Sequence, residues 1–416
     1  MQNVRGLSCT NCGKSYSPEP DRYLCSECGD SGLLEVEYNY EIIRRNWDKK
    51  KLVDNPDSSH WRYLPLLPVE PGTIRPPLRV GGTPVYQNRV LGSELGLTEI
   101  WIKDDGLNPT GSLKDRASSL AVVKAKEAGK KIVACSSTGN AASSLAGNAA
   151  ASGLKAVIFV PKRAPSGKVA QLMIFGALVI SVQGSYSEAY DLSASSIKRW
   201  NWYNRNAAIN PYLMEGKKTA VLELAEQLDW KMPDWIVLTV GDGCTIAGAG
   251  KALQDLQELG FIANKPRLLG VQAEGCAPIT RAWKQKEPLQ VCAEESLADS
   301  IAVGNPRNWK KAIRAIKATE GAMVNVPDEE ILEMMRVLGR KSGIFGEPAG
   351  VAGLAGIKRA VREGIIGKRQ KVAVIITGNG LKDIDSARKA AGEPYQLPPD
   401  LSRMEEVVSK EELREQ

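Results

Sequence analysis

The chain has 416 residues, 43% of them hydrophobic and 25% charged, with a formal net charge of +7. That is the composition of a soluble globular protein of two or three domains, without the long Lys/Arg runs of a nucleic-acid binder. The chain has a single histidine, His60, which would have to supply the whole of any His-based metal site or Ser-His-Asp triad; that nearly excludes both, and chemistry near neutral pH falls to a lysine, a carboxylate or a cofactor. The N-terminal MQNVRGLSCTNCGKSY lacks the apolar core of a signal peptide, and no run is long and apolar enough for a membrane span. The expectation is a cytoplasmic protein with no membrane contact.

The first element is a pair of knuckles, CTNCGK and CSECGD. Cys9, Cys12, Cys25 and Cys28 form two C-x2-C pairs with twelve residues between them. Each pair brings two thiolates to one ion, and four thiolates make a closed tetrahedral zinc site. Two disulfides are disfavoured in a reducing compartment. The expected unit is a structural zinc ribbon over residues 1–36. Cys135, Cys244, Cys276 and Cys292 have no ligand spacing and read as small buried residues.

Residues 37–80 are rich in proline and charge, with five prolines from Pro65 to Pro77. This segment is expected to wrap a surface rather than build a core, and His60 within it reads as a surface-loop histidine. From Thr83 onward strands alternate with helices. IWIKD, KKIVACSS, LKAVIFVP, LVISVQG, DWIVLTVGDG, LLGVQAEG and QKVAVIITGNG are apolar and β-branched. Helical segments separate them, which indicates α/β architecture with parallel sheets covered on both faces. In such folds ligands bind beyond the carboxyl ends of strands.

Three glycine-bearing polar loops follow strands: SSTGN at Ser136, GDGCTIAG at Gly241 and TGNGLKD at Thr377. In the second, glycines bring backbone N–H groups and a helix start near Gly248 to bear on a phosphate. It is not a P-loop, because Ala249 stands where lysine is required. In GLNPTGSLKDRASS, Lys114 lies in the first turn of a helix, with Ser112 as N-cap and Asp115 as its capping-box partner. The positive helix end disfavours an ammonium, which favours a nucleophilic amine. A phosphate cup and a lysine on two loops of one sheet point to pyridoxal 5′-phosphate. Loops around Pro165 and Pro306 are candidates to close over the ligand.

In their order and spacing, NPTGSLKDR, SSTGNAASSLAGNAA, NPYLMEGKKTA, VGDG and TGNGLKD resemble threonine synthase. That family has the tryptophan-synthase-β-like fold of pyridoxal phosphate enzymes. The resemblance covers about residues 75–395 and implies two open twisted sheets with helices on both faces, beside the ribbon. It implies a large cofactor domain (37–118 and 205–395), a small mobile domain (119–204) and a tail (396–416). It implies that Lys114 carries the cofactor and shuttles protons, that Asn140 faces the cofactor's 3′-oxygen and that Thr377 meets the ring nitrogen. Gly241, Asp242, Gly243, Cys244 and Thr245 are the cofactor-phosphate loop. Ser137 and Thr138 hold the substrate carboxylate, while Lys168 and Lys217 serve the substrate's far end. The family reaction is O-phosphohomoserine plus water to threonine plus phosphate, and family members are commonly homodimers.

Two departures stand out. The family's phosphate loop usually reads like GNGGN, whereas Asp242 is acidic and must point away or be paired. The family's N-S-x-N-P-x-R-L-E-G-Q-K-T becomes AAINPYLMEGKKT. Ala207, Ala208 and Leu213 therefore stand where Asn, Ser and Arg would bind the substrate's phosphate, and leucine cannot replace an Arg clamp. Lys168 matches the family's GKxAQ lysine, and Lys217 replaces the Gln. Three readings follow: threonine synthase with a rebuilt pocket; a relative carrying out β/γ-elimination or replacement on another amino acid, such as dehydration of threonine or serine; and a non-catalytic zinc-ribbon protein.

Overall fold

The computed structural model describes residues 1–411 apart from 163–165, 185 and 208, and omits the side chains of 166–168, 186 and 187. An N-terminal antiparallel sheet contains β1 (Val4–Cys9), β2 (Ser15–Tyr16), β3 (Leu24–Cys25) and β4 (Gly29–Tyr38), in the order β2-β1-β4-β3. Leu7, Leu34 and Val36 face inward, and Tyr38 Oη donates to Glu215 Oε2 at 2.7 Å. The ribbon is thus packed against the enzyme-sized body.

The six-stranded sheet holds β5 (Val85–Asn88) and β6 (Ile100–Asp104), then, after an excursion, β11 (Trp235–Thr239), β12 (Arg267–Ala273), β13 (Ala322–Val326) and β14 (Val372–Ile376). The excursion makes a parallel four-stranded sheet from β7 (Ile132–Ser136), β8 (Lys155–Pro161), β9 (Leu178–Val182) and β10 (Tyr203–Asn204). The strand orders are β13-β12-β11-β14-β6-β5 and β10-β7-β8-β9. Only the edge strand β5 runs antiparallel to its neighbour in these two sheets. Alternate residues enter different cores. Ile236 and Leu238 pack with Leu120, Leu224 and Leu253, whereas Trp235 and Val237 pack with Leu338 and Leu354. That period of two explains the uninterrupted apolar runs, since both faces are covered by helices. Among the described residues no helix is long and apolar enough to cross a membrane.

The proline-rich segment departs from its expected role. Trp61, Tyr63, Leu66, Leu67 and Val69 belong to the main core, because aromatic and leucine side chains between the prolines supply buried area that the turn signals obscure. His60 is fully buried, not on a surface loop. Its Nε2 lies 2.9 Å from Ser119 Oγ, its Nδ1 3.5 Å from Thr219 Oγ1, and its ring 4.4 Å from that of Trp61. Burial, and then the Arg116 charge, push its pKa down to about 3, so it is neutral.

The start of the Lys114–Glu127 helix also differs from a Ser112 capping box. Leu113 takes the N-cap position without a side-chain bond, and Ser112 Oγ is buried without a partner. Asp115 instead accepts from Thr110 N at 2.8 Å, Thr110 Oγ1 at 2.9 Å and Asn148 Nδ2 at 2.9 Å. The carboxylate closes the preceding turn rather than the helix end, and burial raises its pKa to about 6.

Candidate active site

The strand order places β11, β14 and β6 side by side, so the loops leaving their carboxyl ends are neighbours. These loops bear Gly241, Thr377 and Lys114. Backbone bonds stitch the Thr377 and Lys114 loops to each other: Leu113 N–H donates to the Thr377 carbonyl at 2.9 Å, and Asn379 N–H to the Gly111 carbonyl at 3.0 Å. Glu347 N–H donates to the Gly378 carbonyl at 3.0 Å and brings in a third segment, just ahead of the Pro348–Arg362 helix.

Lys114 lines two cavities. The larger, about 350 Å³, includes Ser137, Thr138, Gly139, Asn140, Glu294, Ser296, Asp299 and Ser300. The smaller, about 80 Å³, includes Lys217, Gly241, Asp242, Gly243, Cys244, Thr245, Glu347 and Thr377. Burial first, then the neighbouring Lys217 charge, lower the Lys114 pKa to about 8, against the opposing pull of Glu347. At pH 7 about a tenth of the amine is therefore neutral, far more than for an ordinary lysine.

The helix after the GDG loop begins at Cys244, four residues earlier than expected, and runs to Glu258. Gly243 makes this start possible. Its φ is +92°, and a Cβ there would lie 3.0 Å from the Asn308 carbonyl oxygen and 3.1 Å from Ala312 Cβ. No side chain caps this helix, so its first N–H groups are available to an anion. Asp242 is paired: its Oδ1 accepts from Arg307 N at 2.9 Å and its Oδ2 from Asn308 Nδ2 at 2.5 Å. These bonds pin the segment around Pro306, while Pro165 lies outside the described residues.

Asn140 opens the Asn140–Ala151 helix after β7, and its Nδ2 donates to Glu347 Oε1 at 2.6 Å. Ser137 N–H is engaged by the Phe159 carbonyl at 3.1 Å, and Ser137 Oγ accepts from Gly139 N at 3.2 Å. Lys217 lies with the glycine loop, apart from Ser137 and Thr138. Lys168 falls in the Ser166–Ile174 helix, with its side chain outside the described residues. Leu213 is fully buried among apolar neighbours including Cys135 and Leu145. Ala207 lines the smaller cavity, and Ala208 lies outside the described residues.

Two residues were not foreseen. Glu347 is a buried carboxylate in the smaller cavity; its only sequence signal is an acid ahead of Pro348 at a helix start. Arg205 is buried, with Nε and Nη2 each 3.1 Å from Ser118 Oγ, and its charge also lowers the Lys114 pKa. At the ribbon, the sulfur atoms of Cys9, Cys12, Cys25 and Cys28 lie within 4.8 Å of one another, a set that can hold a metal ion. Of the remaining thiols, Cys135, Cys244 and Cys276 are buried and Cys292 is half-buried.

Comparison with known proteins agrees with this geometry. The model of the pyridoxal-phosphate dependent enzyme family matches residues 77–378. A threonine synthase from Methanocaldococcus jannaschii is 39% identical over 405 residues, covering 97% of this chain and 99% of that one. A threonine synthase from Synechocystis is 37% identical over 366 residues, covering 85% of this chain and 92% of that one. Among solved structures, threonine deaminase isoform 2 from Solanum lycopersicum superposes with a TM-score of 0.66 at 20% identity, over 83% of this chain and 95% of that one. That likeness carries the fold. The chain belongs to the pyridoxal-phosphate dependent enzyme family and, within it, to the threonine synthases.

Proposed function

We propose that this protein is a pyridoxal-phosphate-dependent lyase that converts O-phosphohomoserine and water into threonine and phosphate. The carrying observation is a single amine of lowered pKa, Lys114, at the junction of an anion-ready cup and a larger polar cavity. The residues present fit the cofactor. The helix that starts after the Gly243 turn is uncapped and would accept phosphate at its first N–H groups, and Thr377 offers a hydroxyl in the same cavity. When bound, pyridoxal phosphate supplies an electron sink for charge developing beside the amino-bearing carbon.

Lys114 holds the cofactor and moves protons at the substrate's carbons. Gly241, Gly243 and Thr245, with the N–H groups of the first helical turn, hold the cofactor phosphate. Asn140, oriented by Glu347, would serve the cofactor's ring oxygen. Thr377 would serve its ring nitrogen, and a hydroxyl would not hold that nitrogen protonated as a carboxylate would. Such a site suits elimination and replacement better than transamination. Ser137 and Thr138 hydroxyls would meet the substrate carboxylate, and Lys168, by its match to the family's GKxAQ lysine, is assigned to its distal phosphate. The body carrying these groups is read as a large domain (37–118 and 205–395) and a small one (119–204), in a cytoplasmic homodimer. Cys9, Cys12, Cys25 and Cys28 are read as a closed structural zinc site. Metal analysis is expected to give one zinc per chain, lost on Cys25→Ser while cofactor uptake persists; zinc retained in that variant would reject the four-thiolate assignment.

A second reading has a specific observation behind it. Among the described residues, the larger cavity offers two carboxylates, Glu294 and Asp299, and no cation besides Lys114. The Arg position of the family is the buried Leu213. That lining favours a substrate without a distal phosphate, as in dehydration of threonine or serine. Phosphate release from O-phosphohomoserine, assayed beside keto-acid release from threonine and serine, separates the two. Phosphate release is expected to dominate and to fall at least about tenfold on Lys168→Gln. Keto-acid release dominating at equal substrate concentration would establish the second reading.

A further inference from the structure

Lys217 and Lys218 are adjacent buried lysines with opposite fates. Lys218 turns away from the site, and its Nζ is held at 2.5 Å by Glu215 and 2.6 Å by Asp255. Lys217 is 4% exposed and faces the smaller cavity. Among the described residues its amine has no hydrogen-bond or ion-pair partner. The nearby carboxylate of Asp242 is occupied by Arg307 N and Asn308 Nδ2. A buried ammonium without an anion is costly, so its position calls for one.

The packing aims this lysine at the uncapped helix end. Gly248 lies one turn into the Cys244–Glu258 helix, and a Cβ there would be 3.1 Å from the Met214 carbonyl oxygen and 3.6 Å from Lys217 Cβ. The missing side chain lets the two helices approach, which sets Lys217 beside the first turn. A free cation and an unpartnered helix N-terminus then face the same small space, which is separate from the cavity of Ser137 and Thr138.

We infer that Lys217 binds the cofactor's phosphate rather than any group of the substrate, making this cup selective for a phosphorylated pyridine aldehyde. This rests on the reading that pyridoxal phosphate is the cofactor.

The test compares binding of pyridoxal 5′-phosphate and of pyridoxal, which lacks the phosphate, to cofactor-stripped protein by equilibrium dialysis. Wild-type binding of the phosphorylated form tests the cofactor reading itself; no uptake would overturn both. Lys217→Gln is expected to weaken that form about ten- to a hundredfold and leave pyridoxal unchanged, with Lys217→Arg restoring part of the preference. Equal loss for both ligands, or no loss at all, would overturn the inference. So would unchanged cofactor binding with a raised KM for a phosphorylated substrate. A second measurement guards against misfolding. Lys217→Met removes an unpaired buried charge, so the melting temperature of the stripped protein is expected to hold or rise while its increase on adding pyridoxal phosphate shrinks. A stripped variant that melts lower, with an undiminished increase, would contradict the assignment.

Discussion

Lys114→Ala is expected to lower turnover by at least about a thousandfold, because in the proposed function the same amine would both anchor the cofactor and move protons. The fold should be spared, since no carboxylate is paired to Lys114 among the described residues and its loop is fixed by backbone bonds through Leu113 and Gly111. Lys114→Arg is expected to fail as completely, because guanidinium does not give up its proton near neutral pH. The lowered pKa adds a pH signature. Capture of the cofactor by stripped wild-type protein should accelerate about tenfold per pH unit below about 8 and level off above it. Stopped-flow absorbance measures this, and a plateau reached only near pH 10 would mean that the amine is not tuned by its surroundings.

Glu223→Ala is expected to cost about 3–5 kcal/mol of stability, because it strands the buried Lys103 and takes one of two carboxylates from the buried Arg116. Glu223 Oε1 holds Lys103 Nζ at 2.6 Å, and Glu223 Oε2 holds Arg116 Nη1 at 3.1 Å. Arg116 is also clamped by Asp105, with contacts of 2.7 and 2.8 Å, and it lies two residues beyond Lys114. The network therefore seats the helix that Lys114 opens. Burial opposes ionisation of Glu223, but Arg116 and then Lys103 hold its pKa well below the usual carboxylate range. Its contribution is full above the unfolded carboxylate value, about 4.3, and is lost as pH falls below it. His60 acts earlier. The unfolded chain takes up a proton below about 6.5 that the folded chain refuses until about 3, so stability falls with pH across that window, by about 2 kcal/mol at pH 5. Asp104 and Asp115, whose pKa values burial raises to about 6, act in the opposite sense over the same window, so the His60 effect is read as the difference between wild type and His60→Gln in denaturant titrations at pH 7 and 5. The variant should gain relative to wild type on going to pH 5; an identical change in both proteins would contradict a neutral buried His60.

What was legible in the sequence was local. Lys114 and the loops at Ser136, Gly241 and Thr377 follow apolar strand runs, and the chemistry of each loop is written in consecutive residues. The ribbon is equally local, because a C-x2-C pair fixes its own geometry. What was hidden depends on packing between distant segments. Glu347 is one acid among 48 until the Thr377 loop is laid beside it. His60 is surrounded by polar and proline signals, yet Ser119 and Thr219 from two distant helices enclose it. Lys217 and Lys218 cannot be told apart by residue type. About 100° separates neighbouring residues on a helix, and that rotation sends one amine to Asp255 and the other to the smaller cavity. The strands β5 and β10 were missed because they have only four and two residues, whereas β13, with five, is as long as strands that were foreseen.

The central claim is that Lys114, at the meeting point of the two cavities, carries the cofactor. Reduction of the cofactor-loaded protein with borohydride, followed by proteolysis and mass spectrometry, tests it most directly. The expected result is one phosphopyridoxyl adduct per chain, on the peptide containing Lys114. An adduct confined to another lysine, Lys217 included, would contradict the account.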